Sequence, residues 1–337
     1  MKAINKGVAN PPDWKPEENL PRAIQALRGA RRALITMHRG PDGDALGSAL
    51  ALACALREMG REVTVYSPDE LPYNFRFLRG ADQVARSVPA GAAFDVTVVT
   101  DAGAFDRLGP DVPPQPLRGV MLNLDHHITT EPFGDVNYVD PQAASVGILA
   151  WKIIRGLGHP LSRDAAECIY ASILADTGCF RYSSTDPECL RVAAELVEAG
   201  VEPWEMTVRV YEQQPLARMR LLAEVLGTLE VHGKLATITI TNQMVARTGS
   251  PIDLTDGFIN YARSVDGVEV AASFREPEEG GAWRVSFRSR GKVDVAAIAQ
   301  KFGGGGHHNA AGCSIEGDEA QVRARIAEEI ERALHVG

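Results

Sequence analysis

The chain of 337 residues has no uninterrupted apolar run approaching the roughly 18 residues that a membrane-spanning helix needs. Residues 1–20, MKAINKGVANPPDWKPEENL, are polar and proline-bearing and lack the apolar centre of a secretion signal. The five cysteines (Cys54, Cys168, Cys179, Cys189 and Cys313) are odd in number and form no C-x-x-C pair. That argues against a disulfide framework and points to free thiols in a reducing, cytoplasmic compartment. Basic residues are in deficit, 35 Lys and Arg against 44 Asp and Glu, for a net charge of −9. Long duplex nucleic acid is normally met by a basic face, so the charge argues against a processive binder of long polymers. A small phosphorylated ligand stays open, provided local cations or metals supply the positive field. Internal repeats and low-complexity tracts are missing as well.

What is present is an ordinary globular composition, 45% hydrophobic and 23% charged, long enough for two domains. The first half alternates short β-rich runs with Ala- and Leu-rich helical patterns. Strands are expected at 30–38, 61–67, 94–101 and 119–127, and helices at 44–60, 145–157, 163–176 and 187–200. Strands that are nearly continuous in apolar character and separated by helices indicate a parallel sheet covered on both sides. A charged helical stretch at 201–225, broken by Pro215, reads as a connector. Beyond it come paired strands, LGTLEVHG with KLATITIT and VEVAASFRE with WRVSFRSR, then helices at 294–301 and 318–335 around a Gly-rich loop. The expected organisation is a polar tail (1–20), an α/β domain (21–200), the connector (201–225) and a smaller α+β domain (226–337).

In a parallel α/β sheet, ligands bind beyond the carboxyl ends of the strands. His38 closes the first strand, and Asp42 and Asp44 follow it in R-G-P-D-G-D. Asp101 ends FDVTVVTD, Asp125-His126-His127 end GVMLNLDHH, and Asp176 ends a helix in LADTGCF. Taken singly, a D-x-D is more often a turn or helix cap, and a strand-end Asp more often structural. Four separate loops delivering six N/O ligands (His38, Asp42, Asp44, Asp101, His126, Asp176) to one sheet edge have few such explanations. Carboxylates held this close repel unless a cation compensates. With no thiolate among them, Mn²⁺ fits best, with Mg²⁺, Co²⁺ or Fe²⁺ as alternatives. Two ions about 3.5–4 Å apart would activate a water and neutralise charge on phosphoryl oxygens.

The second domain carries Gly303-Gly304-Gly305-Gly306-His307, which lacks the G-K-[ST] of a nucleotide P-loop. Its glycines allow close backbone approach and N–H groups aimed at an anion, although a plain flexible loop is the blander reading. Arg288 and Arg290 alternate along a strand, where a phosphate grip competes with a solvated strand face.

The combination of MHRGPDGDALGS, VVTDAG, NLDHH and ILADTGCFRYSST resembles the four motifs of the DHH phosphoesterase family. The tail VSFRSRGKVDVAAIAQKFGGGGHHNAAGC is similar to that family's accessory DHHA1 domain, so the resemblance spans roughly residues 22–335. It implies a parallel-sheet DHH domain plus an α+β DHHA1 domain, and, among the family's branches, the nano-RNase/pAp phosphatase type. Carried over, it makes His38, Asp42 and Asp101 the ligands of one metal. Asp44, Asp101, His126 and Asp176 would hold the other, with Asp101 shared. Asp101 and His126 are then central to turnover. His127 stands beside the metals or faces phosphate, and Asp125 orients a neighbour. Arg288, Gly304, Gly305, Gly306 and His307 become substrate contacts, in a cleft between the domains. Residues 145–148, Ser-Val-Gly-Ile, depart from a more polar Ser-Thr-Gly-Glu-like stretch, which puts substrate contacts there in doubt. The implied activity is hydrolysis of short RNA or linear dinucleotides to mononucleotides, with phosphate removal from pAp (3′-phosphoadenosine-5′-phosphate). Cyclic di-AMP hydrolysis is the rival within this chemistry, and a metal-less nucleotide-binding regulator the rival outside it. A homodimer is the family's expectation.

Overall fold

A computed structural model describes residues 14–277 and 281–336, and the chain divides into two units, residues 1–213 and 214–337. The first unit opens with α1 (Pro16–Gly29), so the final residues of the expected polar tail are helical. Pro16 sits in the first turn, where its missing N–H costs nothing, and Glu17 and Glu18 favour the helix dipole. Pro21 lies inside the helix and masks the pattern, yet Ala23 and Leu27 still bury one face.

Then follow β1 (Arg32–Met37), α2 (Gly43–Glu58), β2 (Glu62–Tyr66), β3 (Val96–Thr100), β4 (Val120–Asp125) and β5 (Val136–Val139). α3 (Val146–Leu157), α4 (Arg163–Asp176), α5 (Pro187–Glu198) and α6 (Pro203–Thr207) complete the unit, and α6 runs into one π-helical turn at Val208–Glu212. The five strands form one parallel sheet in the order β2-β1-β3-β4-β5. The chain winds outward from β1 in both directions, so the crevice where ligands collect lies at the carboxyl ends of β1 and β3.

The two faces of this sheet are covered differently. Ile35, Met37, Val98, Leu122 and Leu124 join a large core with the apolar sides of α2, α3 and α4. On the other face Leu34 and Tyr66 pack with Val88 and Phe94, and Val99 and Met121 with Ala102 and Leu108. Those partners come from irregular segments that carry single 3₁₀ turns at Tyr73–Phe75, Ala81–Gln83 and Phe105–Arg107. Both faces are indeed covered, but helices cover only one of them.

The second unit contains α7 (Leu216–Leu226), β6 (Glu230–His232), β7 (Leu235–Ile240), α8 (Asn242–Thr248), α9 (Ile259–Arg263), β8 (Val270–Arg275) and β9 (Trp283–Ser289). It ends with α10 (Val295–Gln300), β10 (Gly305–His307), β11 (Ala310–Ile315) and α11 (Glu319–Val336). Its six strands run β10-β11-β9-β8-β7-β6, antiparallel except for the parallel pair β7–β8, which α8 and α9 connect. Among the described residues no helix is long and apolar enough to cross a membrane, and all five cysteines are free thiols.

Candidate metal centre

Parallel register sets the row from which the centre is built. Met37, Thr100 and Leu124 are neighbours across β1, β3 and β4. One residue further on come His38, Asp101 and Asp125, so three adjacent strands end on side chains that ligate or titrate. Asp101 leaves its strand at φ 58°, a left-handed conformation uncommon outside glycine that Asp and Asn tolerate best. The turn directs its carboxylate across the sheet end rather than along it.

Two helices contribute from the side. Asp42 is the N-cap of α2, its Oδ1 accepting from the Asp44 and Ala45 N–H groups at 3.0 Å each. The cap reading of this D-x-D is therefore correct for Asp42, and the same oxygen lies 4.0 Å from His38 Nε2. Asp44, in the first turn of α2, is fully buried. Asp176 is the last residue of α4 and the most open of the inner group, with 27% of its side chain exposed.

Around Asp101 the contacts divide in two. Its Oδ2 lies 3.6 Å from His38 Nε2, and its Oδ1 lies 3.8 Å from His126 Nε2. Oδ1 is buried and has no hydrogen-bond partner among the described residues. His126 Nε2 is in turn 3.1 Å from Asp176 Oδ2 and 3.7 Å from Asp44 Oδ2. Donor atoms thus gather as His38, Asp42 and Asp101 on one side and as Asp44, His126 and Asp176 on the other, each set within 4.8 Å.

The imidazoles have their tautomers fixed. His38 Nδ1 is 2.9 Å from the Arg39 carbonyl oxygen and His126 Nδ1 is 3.0 Å from that of Ala143. A carbonyl only accepts, so both Nδ1 atoms carry a proton, and both Nε2 atoms face the carboxylates. His127 differs: its Nδ1 meets Asp125 Oδ1 at 2.6 Å and stands 3.3 Å from Asp101 Oδ1. Asp101, His126 and His127 also lie close enough to form a third donor set. Asp125 accepts from the His126 and His127 N–H groups through Oδ1 and from Thr130 Oγ1 (2.6 Å) through Oδ2. Although burial opposes it, the hydrogen bond and charge of His127 and the Thr130 hydroxyl hold Asp125 down at about 2.

The other buried acids go the opposite way. Burial, then the charges of Asp176 and Asp42, push Asp44 well above the ordinary carboxylate range. Burial, then Asp44 and Asp42, do the same to Asp101. For His126, burial is outweighed by its hydrogen bond to Asp176 and by the charges of Asp176, Asp44 and Asp101, so its pKa stands well above the usual imidazole value. Without cations this cluster holds protons. Divalent ions, which replace protons on such donors, suit an all-N/O set with an orphaned buried carboxylate oxygen.

The chain is similar to known proteins. Residues 32–173 match the N-terminal domain of the DHH family, and residues 246–335 match the DHHA1 domain. A Thermus thermophilus protein named bifunctional oligoribonuclease and PAP phosphatase NrnA is 35% identical over 98% of both chains. The chain belongs to the DHH family. It is a hydrolase of the DHH phosphoesterase type, a class that uses divalent metals, and the cluster fits such ions. The Bacillus subtilis protein of the same printed name is 29% identical, over 84% of this chain and 88% of its own. The solved structure of an exopolyphosphatase-related protein from Bacteroides fragilis overlays with a TM-score of 0.87 at 26% identity, covering 98% of both chains. RecJ of Thermus thermophilus shares the fold at a TM-score of 0.51 and 15% identity, with 97% of this chain covering 56% of that one.

In the second unit, Arg288 on β9 pairs with Ala310 on β11, which pairs with His307 on β10, so the three share one cross-strand row. The side chain of His307 lies outside the described residues. The expected glycine loop is partly an edge strand: Gly305 and Gly306 pair with Gly312 and Ala311. The N–H groups of Gly303 and Gly304 donate to Gln300 and Ala299 carbonyls at the end of α10, so those two amides are not directed at an anion. Glycine at 304 is needed because a Cβ there would stand 2.1 Å from the Gly312 carbonyl oxygen. Arg290 lies beyond β9 and donates to the carbonyls of Arg263, Ser264 and Val265 at the end of α9. It caps a helix, whereas Arg288 lies within the strand, which ends at Ser289.

Sequence reasoning misses Ser172, Thr130 and the 145–148 backbone. Val146 and Gly147 donate their N–H groups to Asp44 at 2.8 and 3.2 Å, and Ser172 Oγ stands 2.5 Å from Asp44 Oδ1. The one signal available for Ser172 is its place four residues before Asp176, on the same side of α4.

Proposed function

We propose that the chain is a two-metal phosphodiesterase and phosphatase that degrades short oligoribonucleotides to mononucleotides and removes phosphate from pAp. Its relatives' printed names supply the substrate class. The observation that carries the two-metal reading is Asp101, whose Oδ2 faces His38 and whose Oδ1, without a hydrogen bond among the described residues, faces His126 and His127. One group would be held by His38, Asp42 and Asp101, the other by Asp44, Asp101, His126 and Asp176. Mn²⁺ is the proposed ion at both, on the strength of the all-N/O donor set. Bound there, the ions would supply an activated water and charge neutralisation on the phosphoryl oxygens.

The protein's own groups do the rest. Asp101 keeps both positions close together. The Arg39 and Ala143 carbonyls hold the two imidazoles with Nε2 inward. Asp125, itself held ionised, orients His127, which would bind a phosphoryl oxygen or the leaving group rather than an ion. In the second unit, Arg288 and the 305–307 edge strand are the proposed phosphate-holding elements, with Arg288 supplying a planar two-point donor.

Side-by-side rates with Mn²⁺ on pApA, a 5-mer RNA, pAp and cyclic di-AMP test the reading. Fastest turnover of pApA, measurable release of phosphate from pAp and complete loss of both in EDTA are expected. Cyclic di-AMP turned over faster than pApA would replace the substrate assignment, and EDTA-resistant hydrolysis would end the metal assignment.

A further inference from the structure

The position of Asp44 depends on two other elements, α3 and α4. Its Oδ2 accepts the Val146 N–H at 2.8 Å, and its Oδ1 accepts the Gly147 N–H at 3.2 Å. These are the first two amides of α3, a helix whose own N-cap residue, Ser145, makes no side-chain capping bond. Asp44 therefore caps α3 from another helix, a favourable placement for a carboxylate at a helix N-terminus.

Ser172 closes the arrangement. Its Oγ is 2.5 Å from Asp44 Oδ1, 3.1 Å from Ser145 Oγ, and accepts the Gly147 N–H at 2.9 Å. A serine has one proton to give, and it goes to Asp44 Oδ1, the shorter of its two contacts at 2.5 Å. Ser145 must then donate to Ser172 in turn. Every atom of this network is buried.

Two glycines make room for it. A Cβ on Gly147 would stand 2.1 Å from Ser172 Oγ, and one on Gly47 would stand 2.6 Å from the Cys168 carbonyl and 3.0 Å from Ser172 Cβ. Helices α2 and α3 can both press on this part of α4 only with glycine at 47 and 147. The same helix carries Asp176 one turn later, so α4 sets the position of two members of one donor group.

We propose that Ser172, with the first turn of α3, is a positioning residue that commits Asp44 to one ion. With the Gly147 N–H it fills Oδ1, while Oδ2, which takes only the Val146 N–H, keeps a lone pair to ligate and lies 3.7 Å from His126 Nε2. The inference rests on the two-metal reading above. It also gives the Ser-Val-Gly-Ile segment a role: its backbone and the Ser145 hydroxyl support the centre, so the loss of polar side chains at 146 and 148 leaves that support intact.

The test is calorimetric titration of Mn²⁺ into the EDTA-stripped, dialysed full chain. Wild type takes up two ions. Ser172→Ala keeps one event unchanged and weakens the other by about 10–100-fold, the usual effect of losing a group that orients a ligand. Ser145→Ala, which removes only the donor behind Ser172, weakens the same event by a smaller factor and carries the test should Ser172→Ala not fold. Ser48→Ala is the control: that hydroxyl donates to the Asp44 and Ala45 carbonyls and touches no carboxylate, so both events stay at wild-type affinity. A merely structural serine would lower metal-free thermal stability without separating the two events. Two wild-type affinities in both Ser172→Ala and Ser145→Ala overturn the inference alone. A wild-type chain that takes up no Mn²⁺ overturns the metal reading and the inference with it.

Discussion

Asp101→Asn should make the metal-free protein more stable while abolishing turnover. Asp101 is 3% exposed, its Oδ1 has no hydrogen-bond partner among the described residues, and burial together with Asp44 and Asp42 raises its pKa well above the ordinary value. At neutral pH the folded, cation-free state therefore holds this group at a net cost, whether charged or protonated. Asparagine keeps the shape, removes the charge and is comfortable at φ 58°. Relief of one conflict at a functional site commonly gives about 0.5–2 kcal/mol. At roughly 2–4 °C per kcal/mol for a domain of this size, the melting temperature in EDTA at pH 7.5 should rise by about 1–8 °C.

The sign of the pH dependence follows from the direction of the shift. A carboxylate whose folded pKa is raised costs stability above its ordinary value, so wild type and variant converge as pH falls through the folded value towards the ordinary one. They differ most above it. Adding Mn²⁺ at about 100 times its Kd stabilises wild type by about 2.7 kcal/mol. A variant that has lost the shared ligand gains less, so the order of melting temperatures reverses. Scanning calorimetry of both proteins, with EDTA and with Mn²⁺, reads all of this. An Asp101→Asn protein that melts at or below wild type in EDTA at pH 7.5, or that retains wild-type hydrolysis with Mn²⁺, would refute the reasoning.

Mn²⁺ uptake should release protons, because Asp44, Asp101 and His126 all hold them above their ordinary pKa values. Apparent affinity then climbs as pH rises from 6 to 8, and titrations in buffers of different ionisation enthalpy should give different observed heats; buffer-independent heats at pH 6.5 would contradict the protonated cluster. Arg288→Ala should raise KM for pApA by about tenfold or more with kcat little changed, and Arg288→Lys should not restore it, since an ammonium cannot make the planar two-point contact. Arg290→Ala, by contrast, should lower stability by about 1 kcal/mol through loss of the α9 cap and leave KM alone; the reverse pattern would exchange the two roles.

The clustering of these donors was legible because each is placed by its own local segment. His38, Asp101 and His126 each stand one step past an apolar strand, and Asp42 and Asp44 follow within one loop, so period and spacing alone place them at one sheet edge. What supports them was not legible. The Asp44 carboxylate is held by residues 102, 103 and 128 positions away, and no periodicity encodes a backbone amide. Four adjacent glycines look like a loop whichever conformation they adopt; pairing with β11 decides that part is a strand. Arg288 and Arg290 are equivalent by alternation until the strand ends at Ser289. α1 was hidden by Pro21, whose helix is kept by packing of its Ala23 and Leu27 face.

The departure at 145–148 shows how far such reading can mislead in the other direction. A polar motif replaced by Val and Ile suggests a lost contact, because side chains are what a sequence displays. Here the partners of Asp44 are the N–H groups of Val146 and Gly147, which any non-proline residue supplies. Only glycine leaves space for the Ser172 hydroxyl at the second of them. Positions 146 and 148 are free to vary in polarity as long as α3 begins at the same residue, while 147 and 172 are coupled by a gap too small for a methyl group. Tolerance in this segment is therefore set by where the helix starts and by volume, not by the polarity that distinguishes it.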